Sequence, residues 1–352
     1  MKRFSVVRQQ CLLITFLMLP CACTPSGGQD TEDPEETGDT DDTDDTDEVM
    51  PEEPPTVSRS PAYTFKKTES VVYAQGMVDA NWGTTPGTAQ DLLLDYWEPV
   101  GTDGSPRPAL MFIHGGGFVG GSRSQSALVD LCEAFASRGW VTASIDYRLR
   151  DDAGPIPKEW AAAADKAGSP GQVRAMYLAA RDGRAALRWM TANAEMLNID
   201  PDYFAVGGGS AGAFTAIAVG VSGPRDYLND LTVEEDPTLA STNPTAPVAV
   251  QAILDFWGGP SIPLISEAID GLSRFDAADP AIAIVHGTED PTVSYDEATN
   301  LVGLYESTGA TYALYPLEGK GHGPWGARWE GQSLAEVSFD FLVANQELNV
   351  ME

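Results

Sequence analysis

The chain has few cysteines, histidines and basic residues, and each shortage limits what the protein can be. Three of the four cysteines lie at or before residue 23, so Cys132 has no partner for a disulfide in the rest of the chain. Three scattered histidines and this one cysteine lack metal-ligand spacing, and we expect neither a metal site nor a cofactor. Cys132 lies in an apolar helical run, which favours a buried, unreactive thiol.

The shortage of basic residues bears on the partners. The 21 Lys and Arg residues face 52 Asp and Glu residues, which gives a net charge of −31. Binding to a phosphate backbone requires a basic surface, so the composition excludes nucleic acid as a partner.

The first 58 residues are predicted to lie outside the folded domain. Residues 1–23 join a basic start to a short apolar stretch, as in a signal peptide. The segment 19–24 resembles a bacterial lipoprotein processing site with Cys23 as the lipid acceptor; secretion with Cys23 unmodified is the alternative. Residues 24–58 contain fourteen acids and no base, which predicts a disordered acidic linker. We therefore expect an exported protein, either a cell-envelope lipoprotein held to a membrane only by its lipid or a secreted or periplasmic protein.

Residues 59–352 alternate short apolar runs with amphipathic stretches, as in an α/β protein. The apolar runs predict strands at 91–97, 109–113, 140–145, 203–207, 248–254, 281–285 and 311–315. The amphipathic stretches predict helices at 126–137, 173–196, 211–219, 294–307 and 334–344. This alternation predicts one domain with a mostly parallel central sheet, helices on both faces and functional residues at the carboxyl ends of the strands. Too few residues separate positions 256 and 281 for a large cap domain.

A G-x-S-x-G motif follows the strand at 203–207. It comprises Gly208, Ser210 and Gly212, and a helix begins directly after it. A strand, sharp turn and helix form the setting in which a serine becomes an exposed nucleophile, and the glycines avoid collisions in the turn. The alternative is an ordinary serine at the start of a helix in a glycine-rich turn.

A second glycine-rich segment, H-G-G-G-F, follows the strand at 109–113. Backbone N–H groups of Gly115 and Gly116 can approach a substrate carbonyl closely, because glycine has no side chain. Together with the N–H of Ala211 they are predicted to form an oxyanion hole. A phosphate-binding loop is the alternative, but Walker spacing and a G-x-G-x-x-G motif are both missing.

A catalytic base is found by elimination among the three histidines. His114 belongs to the glycine loop and His286 ends a strand, which leaves His322 in a glycine-rich loop before the last helix. Asp290, which follows a strand end, is the predicted acid. The order Ser210, Asp290, His322 is that of the α/β-hydrolases. Asp255 and Glu289 remain alternatives for the acid.

Five motifs in one order resemble those of H-G-G-G-type carboxylesterases of the α/β-hydrolase superfamily. They are H-G-G-G-F, D-Y-R-L at 146–149, G-G-S-A-G, H-G-T-E-D and G-H-G. The similarity is greatest to bacterial feruloyl and acetyl-xylan esterase-like enzymes, with the hormone-sensitive-lipase-like esterases as relatives. This resemblance implies structural roles for Asp146 and Arg148, which would tie their turn to the oxyanion loop. One departure is the run of three glycines before Ser210, which would loosen the turn.

The motifs predict a serine carboxylic-ester hydrolase that acts through an acyl-enzyme. Short-chain or carbohydrate-linked acetyl or feruloyl esters, free or attached to a polymer, are the expected substrates. A serine peptidase or acylaminopeptidase of the same fold and an inactive scaffold or adhesion protein are the alternatives. Phe118, Trp257 and Trp325 adjoin the motifs and either wall a substrate pocket or belong to the core.

Overall fold

A β-sheet carries the functional residues in the computed structural model, which describes residues 53–80 and 87–352. The predicted signal peptide at 1–23, the lipidation site Cys23 and linker residues 24–52 lie outside the described residues.

Within the described residues, strands are found from one end of the region to the other. They are β1 (Thr56–Ser58), β2 (Thr64–Val78), β3 (Thr88–Val100), β4 (Arg107–Ile113), β5 (Val141–Ile145), β6 (Ile199–Gly209), β7 (Ala252–Phe256), β8 (Ala281–Gly287), β9 (Tyr312–Leu317), β10 (Arg328–Trp329), β11 (Gln332–Ser333) and β12 (Asn349–Met351). The helices are α1 (Ser126–Ala136), α2 (Lys158–Lys166), α3 (Pro170–Ala192), α4 (Ala194–Leu197), α5 (Ala211–Val221), α6 (Ser261–Asp270), α7 (Tyr295–Thr308) and α8 (Leu334–Asn345).

The largest sheet in the described residues has eight strands in the order β2-β3-β5-β4-β6-β7-β8-β9. The pairs β2/β3 and β3/β5 are antiparallel, and all later neighbours are parallel. Parallel strands joined by helices must be covered on both faces, so their residues are mostly apolar, as in β4 and β7, where Arg107 and Asp255 are the only charged residues. The predicted α/β class is therefore confirmed.

Two apolar cores flank this sheet. Helices α1 and α8 cover one face, where Phe135 and Phe339 pack around Trp140. Helices α3, α5, α6 and α7 contribute to the core on the other face. The helix ends follow their local sequence: Ser333 and Glu336 form a capping box at the start of α8, and Gly309 ends α7 at φ +82°.

The sequence prediction differs from the structure in several elements. The strand predicted at 248–254 begins only at Ala252, and the helix predicted at 173–196 is interrupted at Asn193. Strand β2 and the helices α2 and α6 were not predicted. None of the helices in the described ranges is long and apolar enough to cross a bilayer.

The predicted boundary between linker and domain at residue 58 is wrong. Strand β1 pairs in parallel with β12 near the carboxyl end of the chain, and Val57 is completely buried. The side chain of Val57 packs in the same core as Trp97 and Leu348. Residues 56–58 therefore belong to the folded domain, because Val57 packs in its core and their backbone pairs with β12.

Candidate active site

Ser210 lies at the sharp turn between β6 and α5 in a strained backbone conformation, with φ +54° and ψ −124°. Non-glycine residues adopt such positive φ values rarely, and they do so where surrounding structure enforces them. A Cβ at Gly212 would lie 1.9 Å from the carbonyl oxygen of Ile113, and one at Gly208 would lie 2.5 Å from the Gly212 carbonyl carbon. The two flanking glycines of G-x-S-x-G are thus required by close backbone contacts.

Three side chains that are remote in sequence meet beside this turn. The hydroxyl Oγ of Ser210 lies 3.0 Å from Nε2 of His322. Nδ1 of the same imidazole lies 2.7 Å from Oδ2 of Asp290. With its proton on Nδ1, His322 donates to Asp290 and accepts from the serine hydroxyl. The structure therefore brings the three predicted residues together in the order serine, histidine, aspartate.

The Asp290 carboxyl group is buried and held by backbone donors. Its Oδ1 accepts the N–H groups of Thr292 at 2.8 Å and Val293 at 3.0 Å. Burial opposes ionisation, but the Val293 N–H, the His322 hydrogen bond and the Thr292 N–H outweigh it and hold the pKa of Asp290 below its usual range. The carboxylate is therefore charged at neutral pH and fixed in orientation.

The two alternative acids lie elsewhere. Glu289 is exposed, and Asp255 is a buried residue of β7 whose Oδ1 accepts the N–H of Gly258 at 2.7 Å. The imidazole of His322 is hydrogen-bonded to Asp290 and to neither of these groups.

The glycine loop departs from the prediction at Gly115. This residue is buried, and its N–H donates to the side-chain oxygen of Gln125 at 3.1 Å. The Gly115 N–H is thus occupied within the protein. Gly116 and Gly117 are exposed at φ +121° and +62°, and Gly117 lines the same cavity as Ser210 and Ala211. The loop therefore exposes Gly116 and Gly117 and buries Gly115, and Gly117 lines the cavity beside Ser210.

Neighbouring side chains hold the glycine loop from behind. The ring of Tyr147 stacks on that of His114 at a centroid distance of 4.3 Å, and its hydroxyl donates to the His114 carbonyl at 3.0 Å. Asp146 accepts the backbone N–H of Arg123 at 2.7 Å and also pairs with its guanidinium group. These contacts tie the turn after β5 to the segment that follows the loop.

Arg148 does not share this role. It is completely buried and pairs with Asp182 of α3 at 2.6 Å, and it donates to the carbonyl of Met77 at 3.1 Å. Asp146 thus contacts Arg123, which lies after the glycine loop that the resemblance named, whereas Arg148 joins α3 to β2.

A cavity of about 270 Å³ opens beside Ser210. Its wall includes Phe118, one of the three aromatic residues proposed from sequence. Trp257 and Trp325 are not part of this wall. Their rings pack edge to face with a centroid distance of 4.6 Å, and the ring of Trp257 also lies edge to face with His322. Sequence reasoning missed most of the lining residues. Five come from helices α3, α5, α6 and α7, namely Gln172, Met176, Phe214, Ser261 and Glu297, and three come from the loop before α7, namely Thr292, Val293 and Ser294.

Among these residues, only Phe214 carried a sequence signal. It lies four positions after Ser210 on a predicted helix, which places it one turn above the nucleophile. Among the described residues, no group of three or more His, Cys, Asp or Glu side chains is arranged to hold a metal ion.

Together, the sheet order, the turn at Ser210 and the Ser-His-Asp arrangement give the chain the fold and the site geometry of the α/β-hydrolases. Residues 94–161 and 171–268 match the BD-FAE family, which confirms the resemblance to α/β-hydrolase carboxylesterases. The match includes the glycine loop and Ser210 and ends before Asp290 and His322.

Several of the similar proteins are named esterases. Esterase LipC of Mycobacterium tuberculosis is 26% identical over 255 residues, which cover 66% of this chain and 56% of LipC. The solved structure of Thermogutta terrifontis esterase 2 phosphoramylated by tabun is 25% identical, with a TM-score of 0.54, and covers 81% of this chain and 95% of that one. A truncated carbohydrate esterase from gut microbiota shares the fold at 20% identity and a TM-score of 0.52, over 83% of this chain and 99% of that one.

Proposed function

We propose that the protein is a serine carboxylic-ester hydrolase that acts through an acyl-enzyme on short-chain or carbohydrate-linked esters. The observation that carries this proposal is the relay from Ser210 through His322 to Asp290, at 3.0 and 2.7 Å, beside an exposed pair of glycines. The esterase relative LipC and the covalent tabun adduct of the Thermogutta esterase support it.

In the first half-reaction, His322 takes the proton of Ser210 as the serine oxygen attacks the ester carbonyl. Asp290 fixes the imidazole with Nδ1 protonated and stabilises the imidazolium that forms. Collapse of the tetrahedral intermediate breaks the bond to the alcohol, which takes its proton from His322. The acyl group then remains on Ser210.

In the second half-reaction, neutral His322 removes a proton from water, which attacks the acyl-enzyme. The second tetrahedral intermediate expels the Ser210 oxygen, which recovers its proton from His322, and the carboxylic acid leaves. No group outside the relay and the oxyanion hole is needed for this sequence.

The negative oxygen of both intermediates needs N–H donors. Ala211 is the first residue of α5, and the first N–H groups of a helix have no partner inside it. We assign the oxyanion hole to Ala211 with Gly116 and Gly117, because Gln125 already occupies the Gly115 N–H.

The cavity supports a modest substrate. A volume of about 270 Å³ is just below the usual range for ligand pockets, which favours a short acyl group or one residue of a larger molecule. Gln172 and Ser261 provide polar contacts that suit a hydroxyl-bearing alcohol such as a sugar. No contact in the described residues favours a peptide substrate, and the assembled relay argues against an inactive scaffold.

The test compares wild-type protein with Ser210→Ala on p-nitrophenyl acetate. We expect kcat to fall at least about a thousandfold, because the nucleophile is lost. Ser307→Ala, an exposed serine on α7, is the control and should keep wild-type activity. Circular dichroism must show that both variants fold. Substantial turnover by folded Ser210→Ala, or failure of a fluorophosphonate probe to label wild-type Ser210, would refute the proposal.

We also propose that the protein is exported and carries a lipid on Cys23, with secretion or a periplasmic location as the alternative. The support is the basic and apolar start of the chain and the processing-site pattern at 19–24. Mass spectrometry of the protein from a bacterial host should show a diacylated amino-terminal Cys23. A Cys23→Ser variant should lose that mass, whereas an unmodified Cys23 in wild type would overturn lipidation.

A further inference from the structure

Glu297 is the acidic residue in the cavity wall beside Ser210. It lies in the first turn of α7, and its side chain is only half-buried. The absence of a side chain at Gly259 makes room for it, since a Cβ there would lie 2.5 Å from Oε2 of Glu297. The carboxylate is therefore accommodated next to the cavity rather than directed away from it.

No base neutralises this carboxylate within the part of the chain that the structure describes. The described cavity wall contains no Lys or Arg. Burial is the main influence that raises the pKa of Glu297, the Asp296 carboxylate adds to it, and no cation opposes them. An ionised Glu297 thus makes the cavity negative, and it does so in a chain whose net charge is already −31.

Aromatic and polarizable side chains lie beside the carboxylate. The point that a Gly259 Cβ would occupy is 3.0 Å from Cε1 of Phe214, as well as 2.5 Å from Glu297 Oε2, so the ring and the carboxylate are neighbours. Phe118 and Met176 line the same cavity. Aromatic rings beside a carboxylate can stabilise an ammonium group, through cation–π and charge attraction.

We propose that Glu297 is a specificity-determining residue, and that the cavity prefers esters carrying an ammonium-type cation over neutral isosteres and disfavours esters carrying a carboxylate. This proposal rests on the proposed ester hydrolase function. Glu297 does not touch the reacting bond, so its effect is on substrate binding. The charge preference should therefore appear in KM more than in kcat.

The experiment measures kcat and KM at pH 8 for two matched pairs of esters. Acetylcholine and 3,3-dimethylbutyl acetate have the same shape and differ by one positive charge. The p-nitrophenyl esters of succinate and pentanoate differ by one negative charge at similar length. Wild type is compared with Glu297→Gln, which keeps the size of the side chain. Glu306→Gln is the control, because it removes the same charge from an exposed position of the same helix.

We expect the ratio of kcat/KM for acetylcholine to that for its neutral isostere to exceed one in wild type. It should fall about two- to fivefold in Glu297→Gln, the range for losing a partly exposed charge interaction, since the aromatic side chains are unchanged. The ratio of the succinate to the pentanoate ester should rise by a similar factor. Glu306→Gln should show wild-type ratios.

The outcomes separate this proposal from the function on which it rests. If wild type hydrolyses neither neutral ester, the proposed ester hydrolase function fails. If wild type hydrolyses them but Glu297→Gln has the same two charge ratios, the role of Glu297 is refuted. Equal shifts in Glu306→Gln would also refute it, because the effect would then come from overall charge.

Discussion

The indole ring of Trp325 fills the space that a side chain on Gly209 would need. A Cβ at Gly209 would lie 2.5 Å from Cζ2 and 2.9 Å from Cη2 of Trp325. The backbone of Gly209 lies outside the left-handed region, so its conformation alone does not require glycine. The third glycine before Ser210 is thus explained by packing, and the ring lies against the residue that precedes the nucleophile.

Replacing Gly209 by alanine should displace Ser210. We expect Gly209→Ala to lower kcat roughly ten- to hundredfold, since small shifts of a reacting group are costly, and to lower the free energy of unfolding by about 1–3 kcal/mol. Esterase assays and urea denaturation measure the two effects. In a Trp325→Ala background the additional cost of Gly209→Ala should disappear. An equal cost in both backgrounds would contradict the contact as its cause.

Gln125 should affect catalysis without touching the substrate. Gln125→Ala leaves the buried Gly115 N–H without its acceptor, and the neighbouring Gly116 and Gly117 lose their fixed position. We expect kcat to fall about tenfold with little change in KM, because an oxyanion hole acts mainly on the transition state. The neighbouring exposed Ser124→Ala variant is the kinetic control and should resemble wild type. A change confined to KM would argue against this mechanism.

The site was predictable where function depends on local sequence. The turn at Ser210 and the order of Ser210, Asp290 and His322 followed from motifs at the ends of apolar strands. Which glycines of the loop form the oxyanion hole could not be predicted, because this depends on Gln125. Its side chain lies beyond the loop and accepts the N–H of Gly115. Trp257 adjoins the strand that ends at Phe256, but its sequence position does not reveal that its ring packs against Trp325.

In the fold, too, features set by local sequence were predicted and those set by tertiary packing were missed. Strands with continuous apolar runs were predicted because both faces of the sheet are covered. Strand β2 was missed, because this edge strand carries Lys66, Lys67 and Glu69 and has irregular register with β3. The cavity wall was missed because its residues, such as Gln172 and Glu297, lie on separate helices that only tertiary packing brings together.

The buried ion pair of Arg148 and Asp182 should be sensitive to loss of either partner alone. Arg148→Met leaves the Asp182 carboxylate buried without its cation, at a cost of about 3–5 kcal/mol. The double variant Arg148→Met with Asp182→Leu removes both charges and should recover part of that loss. Urea unfolding measures both. A double variant as unstable as the sum of the two single variants would contradict this account.

Asp290→Asn should disturb the orientation and tautomer of His322 while the nucleophile Ser210 is kept. The amide oxygen can still accept the N–H groups of Thr292 and Val293, but its NH2 group then faces Nδ1 of His322 and favours the wrong tautomer. We expect kcat to fall by about 10⁴, while Ser210 remains the residue that a fluorophosphonate probe labels. Because the pKa of Asp290 is lowered, the charged carboxylate stabilises the folded protein at pH values above its unfolded-state pKa, and this contribution is lost as the pH falls from there through the folded-state pKa. Activity within tenfold of wild type would refute the assigned role.

Asp255 should make the stability of the protein fall as the pH rises. Its carboxyl group is completely buried, its Oδ2 has no hydrogen-bond partner among the described residues, and burial raises its pKa to about 7. In the unfolded chain the pKa is about 3.9. Between these values the folded protein holds a proton that the unfolded chain has released, so the free energy of unfolding decreases with pH by up to about 1.4 kcal/mol per unit. Above pH 7 this contribution levels off.

Asp255→Asn removes that proton equilibrium, so the variant should gain stability relative to wild type as the pH increases from 5 to 7. Urea denaturation at half-unit intervals from pH 5 to 8 measures the difference, which cancels contributions from other groups such as Asp279, whose pKa is also raised to about 7. Asp130→Asn, at an exposed position of α1, is the control and should keep a constant offset from wild type. A constant offset for Asp255→Asn as well would mean that the buried carboxyl does not titrate in this range.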